Sequence, residues 1–126
     1  MIVLATVVVT LAAALHIAIF VMESVGWARP AVWKRFNIAS QEVADTVRPM
    51  AYNQGFYNLF LAIGAIVGLI LYGVGMHAAG LSLILFTTAS MFAAAIVLVT
   101  TGRGFIRAAI IQGTLPLIGF VLMLLS

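Results

Sequence analysis

Hydrophobic residues fall into four long runs along this 126-residue chain, and most charged residues lie between the runs. The runs cover about residues 2–22, 51–74, 79–99 and 105–125. A helix needs roughly 20 mostly apolar residues to cross the hydrocarbon core of a bilayer, so each run is long enough for one crossing. The pattern predicts an all-α membrane protein in which a single domain, residues 1–126, forms a bundle of four transmembrane helices.

The first run is not typical of a secretory signal peptide. No basic segment precedes it, and it is longer than the apolar part of such a peptide. We therefore expect it to remain in the mature protein as a transmembrane helix.

Composition supports a membrane environment and excludes some kinds of chemistry. The chain is 65% hydrophobic and only 7% charged, whereas soluble domains carry about 25% charged residues. The absence of cysteine excludes disulfides and thiolate metal sites. The net charge of +3 arises in loops and not from a basic stripe, so we expect the lipid bilayer, and not nucleic acid, as a partner.

The connection between the first two runs is the only long one, and it mixes aromatic with basic residues. Trp27 and Trp33 predict contact with the headgroup region, which tryptophan prefers. Pro30 is suited to begin one short helix, and Ser40 is suited to cap another. We predict two short interfacial helices lying along the membrane surface. Pro49 is expected to bend the chain as it enters the second span.

The basic residues indicate the orientation of the bundle. All six lysines and arginines lie in the first and third connections, about residues 24–50 and 100–107, and none lies in the second loop or the tails. Positively charged loops usually stay on the cytoplasmic side of a membrane. We therefore expect both of these loops to be cytoplasmic and both termini to face outward.

Several polar side chains lie within the spans or near their ends, in the half of each span nearest the basic loops. Such groups are costly against lipid and need polar partners, and an ionisable residue inside a membrane is a candidate site by default. We predict that they converge on one ligand-binding pocket open to the cytoplasmic side, formed by His16, Glu23, Asn53, Gln54, Tyr57, Asn58 and Gln112.

Helical periodicity suggests how these side chains are directed. His16 and Glu23 share a face of the first helix with small residues. In the stretch 53–58 of the second helix, the two asparagines, Gln54 and Tyr57 cover a broad face that we expect to point into the bundle, with Gly55 pointing elsewhere. Further along that face lie Gly64, Gly68 and Gly75, and the pair Gly64 and Gly68 predicts close packing against another backbone.

A purely structural role is the alternative for each of these residues. Glu23 lies near the end of its span and is suited to pair with Arg29 or Arg107 in contact with water. His16 and the amides are suited to hydrogen bonds between helices. His16 and Glu23 supply only two strong metal ligands, and His77 lies at the opposite end of the bundle, so we expect no metal site and no cofactor.

Taken together, these residues resemble a family of small bacterial integral-membrane proteins catalogued as domain of unknown function 1304. The resemblance covers nearly the whole chain, and its most specific part is the stretch 53–58. His16, Glu23 and Trp27 also carry the resemblance, and the later pair Gln112-Gly113 and Pro116 are weaker matches. The resemblance implies four helices and an uncharacterised role. For the location we expect the inner membrane of a bacterial cell.

Three functions remain open on this sequence. The first is a protein that binds or transports a small or amphipathic molecule, such as a lipid; because four short helices are few for a transporter, we then expect a homo-oligomer. The second is a small intramembrane enzyme, isomerase-like, in which His16 or Glu23 moves a proton on a lipid-type substrate. The third is an accessory subunit of a membrane complex, whose polar cluster only determines helix packing.

Overall fold

The structure is a computed structural model that describes all residues from 1 to 126. Five α-helices follow one another and there are no strands: α1 (Ile2–Phe20), α2 (Pro30–Trp33), α3 (Gln41–Gly73), α4 (His77–Thr100) and α5 (Ile106–Leu125). α1 continues into a π-helical turn, Val21–Val25, and 3₁₀ turns occupy Lys34–Phe36 and Arg103–Phe105. Every α-helix except α2 belongs to a helical segment long and apolar enough to cross a membrane, which confirms the predicted all-α fold with four spans.

The four long helices form a ring in which each helix packs on two neighbours. α1 contacts α3, α3 contacts α4, α4 contacts α5, and α5 returns to α1. α3 and α4 run antiparallel, because Gly64 lies against Thr87 while Gly68, one turn further along α3, lies against Ile84.

The antiparallel order brings the two basic connections to the same end of the bundle. There the side chain of Asn37 donates a hydrogen bond from Nδ2 to the Gly104 carbonyl oxygen at 2.8 Å. This bond joins the first connection directly to the third. We call this end of the molecule the basic end.

Small side chains fill the centre of the bundle. Its main core consists of alanines and a few larger residues, namely Ala5, Val9, Ala12, Ala13, Ala62, Ala65, Ile84, Met91 and Met123. Because lipid tails are as apolar as these side chains, helices in a membrane associate through close packing, and small residues permit it.

The glycines of α3 show this packing directly. A Cβ atom on Gly68 would lie only 3.0 Å from the Gly80 carbonyl oxygen, so the prediction of a close backbone approach is confirmed for Gly68, with α4 as the neighbour. Gly64 instead faces the methyl group of the Thr87 side chain. Gly75 does not share that contact. It has a φ of +92° in the turn after α3, a conformation that glycine adopts without steric cost.

α3 is longer than its predicted span, and the prediction of a separate second interfacial helix is wrong. The Ser40 side chain caps α3 by accepting a hydrogen bond from the Val43 amide at 3.2 Å, and the helix then continues through Pro49. Proline deprives the Asp45 carbonyl of its usual partner, but both residues are exposed, so water can serve that carbonyl. The 33 residues of α3 span about 50 Å, well beyond a hydrocarbon core of about 30 Å.

The part of α3 nearest Ser40 packs on the first connection through the tryptophans. Trp27 and Trp33 are each only 5% exposed, and they form a second core with Ala44 and Ala51. The Trp27 indole donates to the Ala44 carbonyl oxygen at 2.9 Å, and the Trp33 indole donates to Gln41 Oε1 at 3.0 Å. The expectation of half-solvated headgroup tryptophans is therefore replaced by buried rings with satisfied N–H groups.

Candidate functional site

α1 and α3 approach each other closely beside the π-helical turn. Gly55 makes this possible, because a Cβ atom there would meet Ser24 Oγ and would lie 3.1 Å from the Glu23 Cβ. The Ser24 hydroxyl donates to the Tyr52 carbonyl oxygen at 2.8 Å, which ties the turn to α3. The absence of a side chain at Gly55 therefore places Glu23 directly against α3.

The π-helical turn itself carries the only acidic side chain within the bundle. Its widened ring is closed by a hydrogen bond from the Gly26 amide to the Val21 carbonyl oxygen at 2.8 Å. Such turns are rare, and they occur frequently at functional sites. Here the turn holds Glu23, which is 8% exposed.

Glu23 is held by one side chain of the neighbouring helix. Asn58, itself 9% exposed, donates from Nδ2 to Glu23 Oε1 at 2.9 Å. The same Nδ2 lies 3.1 Å from the Gln54 carbonyl oxygen one turn earlier in α3, to which it also donates. The amide is thereby oriented by its own helix, and it presents its second hydrogen to the carboxylate.

A cavity of about 270 Å³ lies beside this pair at the basic end of the bundle. Four of the predicted site residues, Glu23, Gln54, Asn58 and Gln112, are in its wall. The other lining residues are mainly apolar and come from α1, the two basic connections, α4 and α5: Leu15, Ile19, Met22, Arg35, Phe36, Leu98, Phe105, Ala108 and Ile111. Arg35 and Gln54 are exposed, so the cavity reaches the surface. We call it the Glu23 cavity.

Besides Arg35 at its rim, three side chains of the Glu23 cavity have polar atoms without a partner within the protein. The side-chain amides of Gln54 and Gln112 make no hydrogen bond, and Glu23 accepts one only at Oε1. None of these groups is sealed away, because the only buried polar side-chain atom without a partner is His16 Nε2. The cavity thus offers a carboxylate acceptor and two amides, each with a donor and an acceptor.

Tyr57 lies outside the Glu23 cavity but lines an adjoining one. That second cavity, of about 480 Å³, lies between α3 and α4 and shares Gln54, Asn58, Leu98 and Gln112 with the first. Tyr57 itself is 63% exposed. The two cavities therefore meet at the polar residues, and the second leads from them toward the outer surface of the bundle.

Asn53 is separated from the other predicted site residues. It is exposed and lines a shallow depression with Asp45 and Arg48 outside the bundle. The prediction that Asn53 and Tyr57 point into the bundle, with Gly55 pointing elsewhere, is wrong. Gly55 points inward, while Asn53 and Tyr57 point outward. The buried stripe of α3 is Ala51, Gly55, Asn58, Ala62, Ala65 and Gly68.

His16 is fully buried and does not line the Glu23 cavity. Its Nδ1 lies 2.9 Å from the Ala12 carbonyl oxygen in the preceding turn of α1. Because a carbonyl only accepts, Nδ1 must carry the proton and donate it, which leaves Nε2 without a partner. The structure thus separates His16 from Glu23, although both lie on the inward face of their helix as predicted.

The structure adds residues to the site that the sequence pattern did not indicate. Arg35 and Phe36 come from the first connection, and Phe105 and Ala108 come from the region around the start of α5. They reach the cavity because the first and third connections meet above it. One indication was present in the sequence, since every basic residue lies in or beside these two connections. The distance between the two connections along the chain, however, does not show that they meet in the fold.

The structural alternative for Glu23, an ion pair with Arg29 or Arg107, is not present. Asn58 is the only hydrogen-bond partner of the carboxylate. No group of three or more histidine, aspartate or glutamate side chains is arranged to hold a metal ion.

The fold and the site together define a class of protein: a bundle of four helices able to span a membrane, with a polar cavity at one end. A family model described as protein of unknown function (DUF1304) matches residues 10–124. The chain belongs to this family, which confirms the resemblance noted from its sequence. Searches among curated proteins and among solved structures gave no match.

A double-mutant cycle tests whether Glu23 and Asn58 interact as the geometry indicates. We expect Glu23→Met and Asn58→Leu to be non-additive in thermal unfolding, with a coupling of about 1 kcal/mol, the scale of hydrogen bonds between helices in membranes. The matched control pairs Glu23→Met with Asn53→Leu. Because Asn53 is exposed and does not contact Glu23, that pair is expected to be additive. Equal additivity in both cycles would contradict the proposed contact.

Proposed function

We propose that this protein is a membrane-embedded binding protein that holds a small amphipathic molecule in the Glu23 cavity. The observation that carries the proposal is the set of unpartnered polar groups there, namely the free carboxylate oxygen of Glu23 and the amides of Gln54 and Gln112. Polar groups turned toward an otherwise apolar cavity are typical of ligand sites, where a few of them orient a mostly hydrophobic molecule.

The size of the site supports a small ligand. Its volume of about 270 Å³ is near the lower bound of about 300 Å³ for small-molecule sites. The adjoining cavity between α3 and α4 extends it toward the outer surface of the bundle, where an apolar tail would meet lipid. This arrangement suits a molecule whose polar part lies beside Glu23 and whose apolar part leaves through the gap between α3 and α4.

The geometry favours binding over transport within one chain. The half of the bundle far from the Glu23 cavity is closed by fully buried side chains such as Ala5 and Val9. Passage to the other side would therefore require these helices to separate. Transport would therefore require a homo-oligomer. The mass of the native assembly shows whether one forms.

The geometry also favours binding over acid–base catalysis. General acid–base catalysis needs a side chain that can give or take a proton within hydrogen-bond reach of the substrate. His16 is not in the cavity wall, so Glu23 is the only carboxylate or imidazole group that a bound molecule would meet there. The enzyme hypothesis would regain support if extracted ligand changed chemically during incubation with the native chain.

Glu23→Gln is expected to weaken retention of the bound molecule at least about tenfold, the effect of losing a hydrogen bond to a charged group. A glutamine can still accept the Asn58 hydrogen bond through Oε1, but it presents an NH₂ group where the free carboxylate oxygen was. The measurement is native mass spectrometry of protein gently released from its own membrane.

The matched control for this experiment is Glu42→Gln. Glu42 is an exposed carboxylate in the first turn of α3 and lies outside both cavities, so this change is expected to leave the bound mass unaltered. An identical ligand load in Glu23→Gln and the native chain would contradict the proposal. Stoichiometric recovery with other subunits and no ligand would instead favour an accessory role.

We further propose that the basic end faces the cytoplasm of a bacterial inner membrane, so that the Glu23 cavity opens to that side. All six lysines and arginines lie at this end, in the two connections joined by Asn37 and Gly104 or in the adjoining ends of α3 and α5. Since the chain has no cysteine, Ala39→Cys and Ser126→Cys each supply a single labelling site. A maleimide that cannot cross the inner membrane is expected to label only the second variant in intact cells with a permeabilised outer membrane. Labelling of Ala39→Cys alone would contradict this orientation and show that the basic end faces outward.

A further inference from the structure

The mouth of the Glu23 cavity is a basic vestibule. A depression of about 450 Å³ is lined by Lys34, Arg35 and Arg107, together with Asn37 and Gly104, and its wall contains no acidic residue. It also shares Arg35, Ala108 and Ile111 with the Glu23 cavity. The vestibule and the cavity are therefore continuous, with the cations at the surface and the apolar walls further inside.

The three cations are brought together by tertiary structure. Lys34 and Arg35 belong to the 3₁₀ turn of the first connection, and Arg107 belongs to the first turn of α5. The hydrogen bond from Asn37 to Gly104 holds the two connections against each other at this point. Asn37 adopts a left-handed conformation with a φ of 58°, which asparagine tolerates better than most residues.

The start of α5 adds to the positive potential of the vestibule. No side chain caps this helix, and its first turn contains no acidic residue. The 20-residue helix thus directs the positive end of its dipole toward the region of Arg107 and Ala108. This end also carries backbone N–H groups, which favour an anion.

No carboxylate of the protein neutralises these charges. The chain has only three acidic residues, and none of them lines the vestibule. Glu23 accepts from Asn58, Asp45 accepts from Gln41, and Glu42 lies in the first turn of α3. The three cations line one depression and no carboxylate lines it with them, so an anion there would meet positive charge from both connections.

We propose that the vestibule binds the anionic group of the amphipathic ligand, so that the substrate class is an amphiphile with a phosphate or carboxylate head. The anionic group would lie between Arg35, Arg107 and Lys34. The neighbouring polar atoms of the molecule would lie beside Glu23, and its apolar part would extend through the gap between α3 and α4. The guanidinium forks of the two arginines match the paired oxygens of a phosphate or carboxylate. This inference rests on the proposed ligand-binding function and adds the charge of the ligand to it.

The experiment measures binding by the full chain in nanodiscs of neutral phosphatidylcholine, with empty nanodiscs as the blank. The probes are dodecyl phosphate, the neutral dodecyl glycerol ether and inorganic phosphate. Dodecyl phosphate is expected to bind most tightly. Arg35→Gln and Arg107→Gln should each weaken its binding at least about tenfold, the effect expected for a lost hydrogen bond between charged groups.

Two further variants test whether the loss of binding depends on the position of the removed charge and on the shape of the arginine side chain. Arg48→Gln removes a positive charge outside the vestibule and is expected to leave binding unchanged. Arg35→Lys keeps the charge but loses the planar fork, so its affinity should fall between those of the native chain and Arg35→Gln. Thermal unfolding of each variant shows whether the bundle is intact.

The possible results distinguish this inference from the function on which it rests. If the neutral ether and dodecyl phosphate bind equally well, and Arg35→Gln changes neither, the inference of an anionic head group is overturned. The proposed binding function would then still stand. If inorganic phosphate binds as tightly as dodecyl phosphate, the vestibule is a site for free phosphate, and the inference that the ligand is an amphiphile is overturned. Failure of both amphiphiles to bind would contradict the proposed function together with the inference.

Discussion

The hydrogen bond from Asn58 to Glu23 is the contact on which the site depends. A carboxylate in a membrane span is costly unless a polar partner or water receives it. Here α3 supplies the partner, and it does so only because Gly55, one turn earlier, lets the π-helical turn lie against its backbone. A close-packed glycine and a polar asparagine on the same stripe of α3 thus give one carboxylate oxygen a hydrogen-bond donor, and the other oxygen has no partner in the protein.

The rest of the basic end is arranged around that contact. α3 extends beyond its span, and its first turns bury Trp27 and Trp33 of the first connection. The connection is thereby held in a definite conformation, and its 3₁₀ turn brings Arg35 to the rim of the Glu23 cavity. The bond between Asn37 and Gly104 adds the start of α5. Hydrophobic burial outside the membrane therefore positions charges at the entrance to a site within it.

Much of the fold follows from the sequence because its strongest signals are those of a membrane protein. Four apolar runs separated by short polar segments predict four spans, and the common placement of the basic residues predicts which connections share an end. Local signals were also informative at Pro30 and Ser40, although Ser40 begins a long helix and not a separate short one. The length of α3 was misjudged because Pro49 suggested an interruption, whereas an exposed helix tolerates it near one end.

The site was less predictable, for a physical reason. In a soluble helix, polarity separates the inner face from the outer one, but in lipid an apolar side chain is equally at home on either face. The inner face of α3 is instead defined by the small residues Ala51, Gly55, Ala62 and Ala65, which permit close contact. The prediction from polarity therefore placed Asn53 and Tyr57 on the inward face, whereas the structure places them on the outer one. Arg35 was missed because its approach to Glu23 depends on how the first connection folds.

The central claim is that an amphiphile occupies the Glu23 cavity in the membrane, and photo-crosslinking tests it most directly. Cells are supplied with a fatty acid that carries a diazirine and enters their lipids, the membranes are irradiated, and the modified residues are mapped by mass spectrometry. The account predicts labelling concentrated on cavity residues that are not exposed on the outer surface, such as Ile19, Met22 and Leu98. Labelling confined to outward-facing residues such as Phe60 and Phe86, which are 57% and 69% exposed, would show only surrounding lipid and would contradict it.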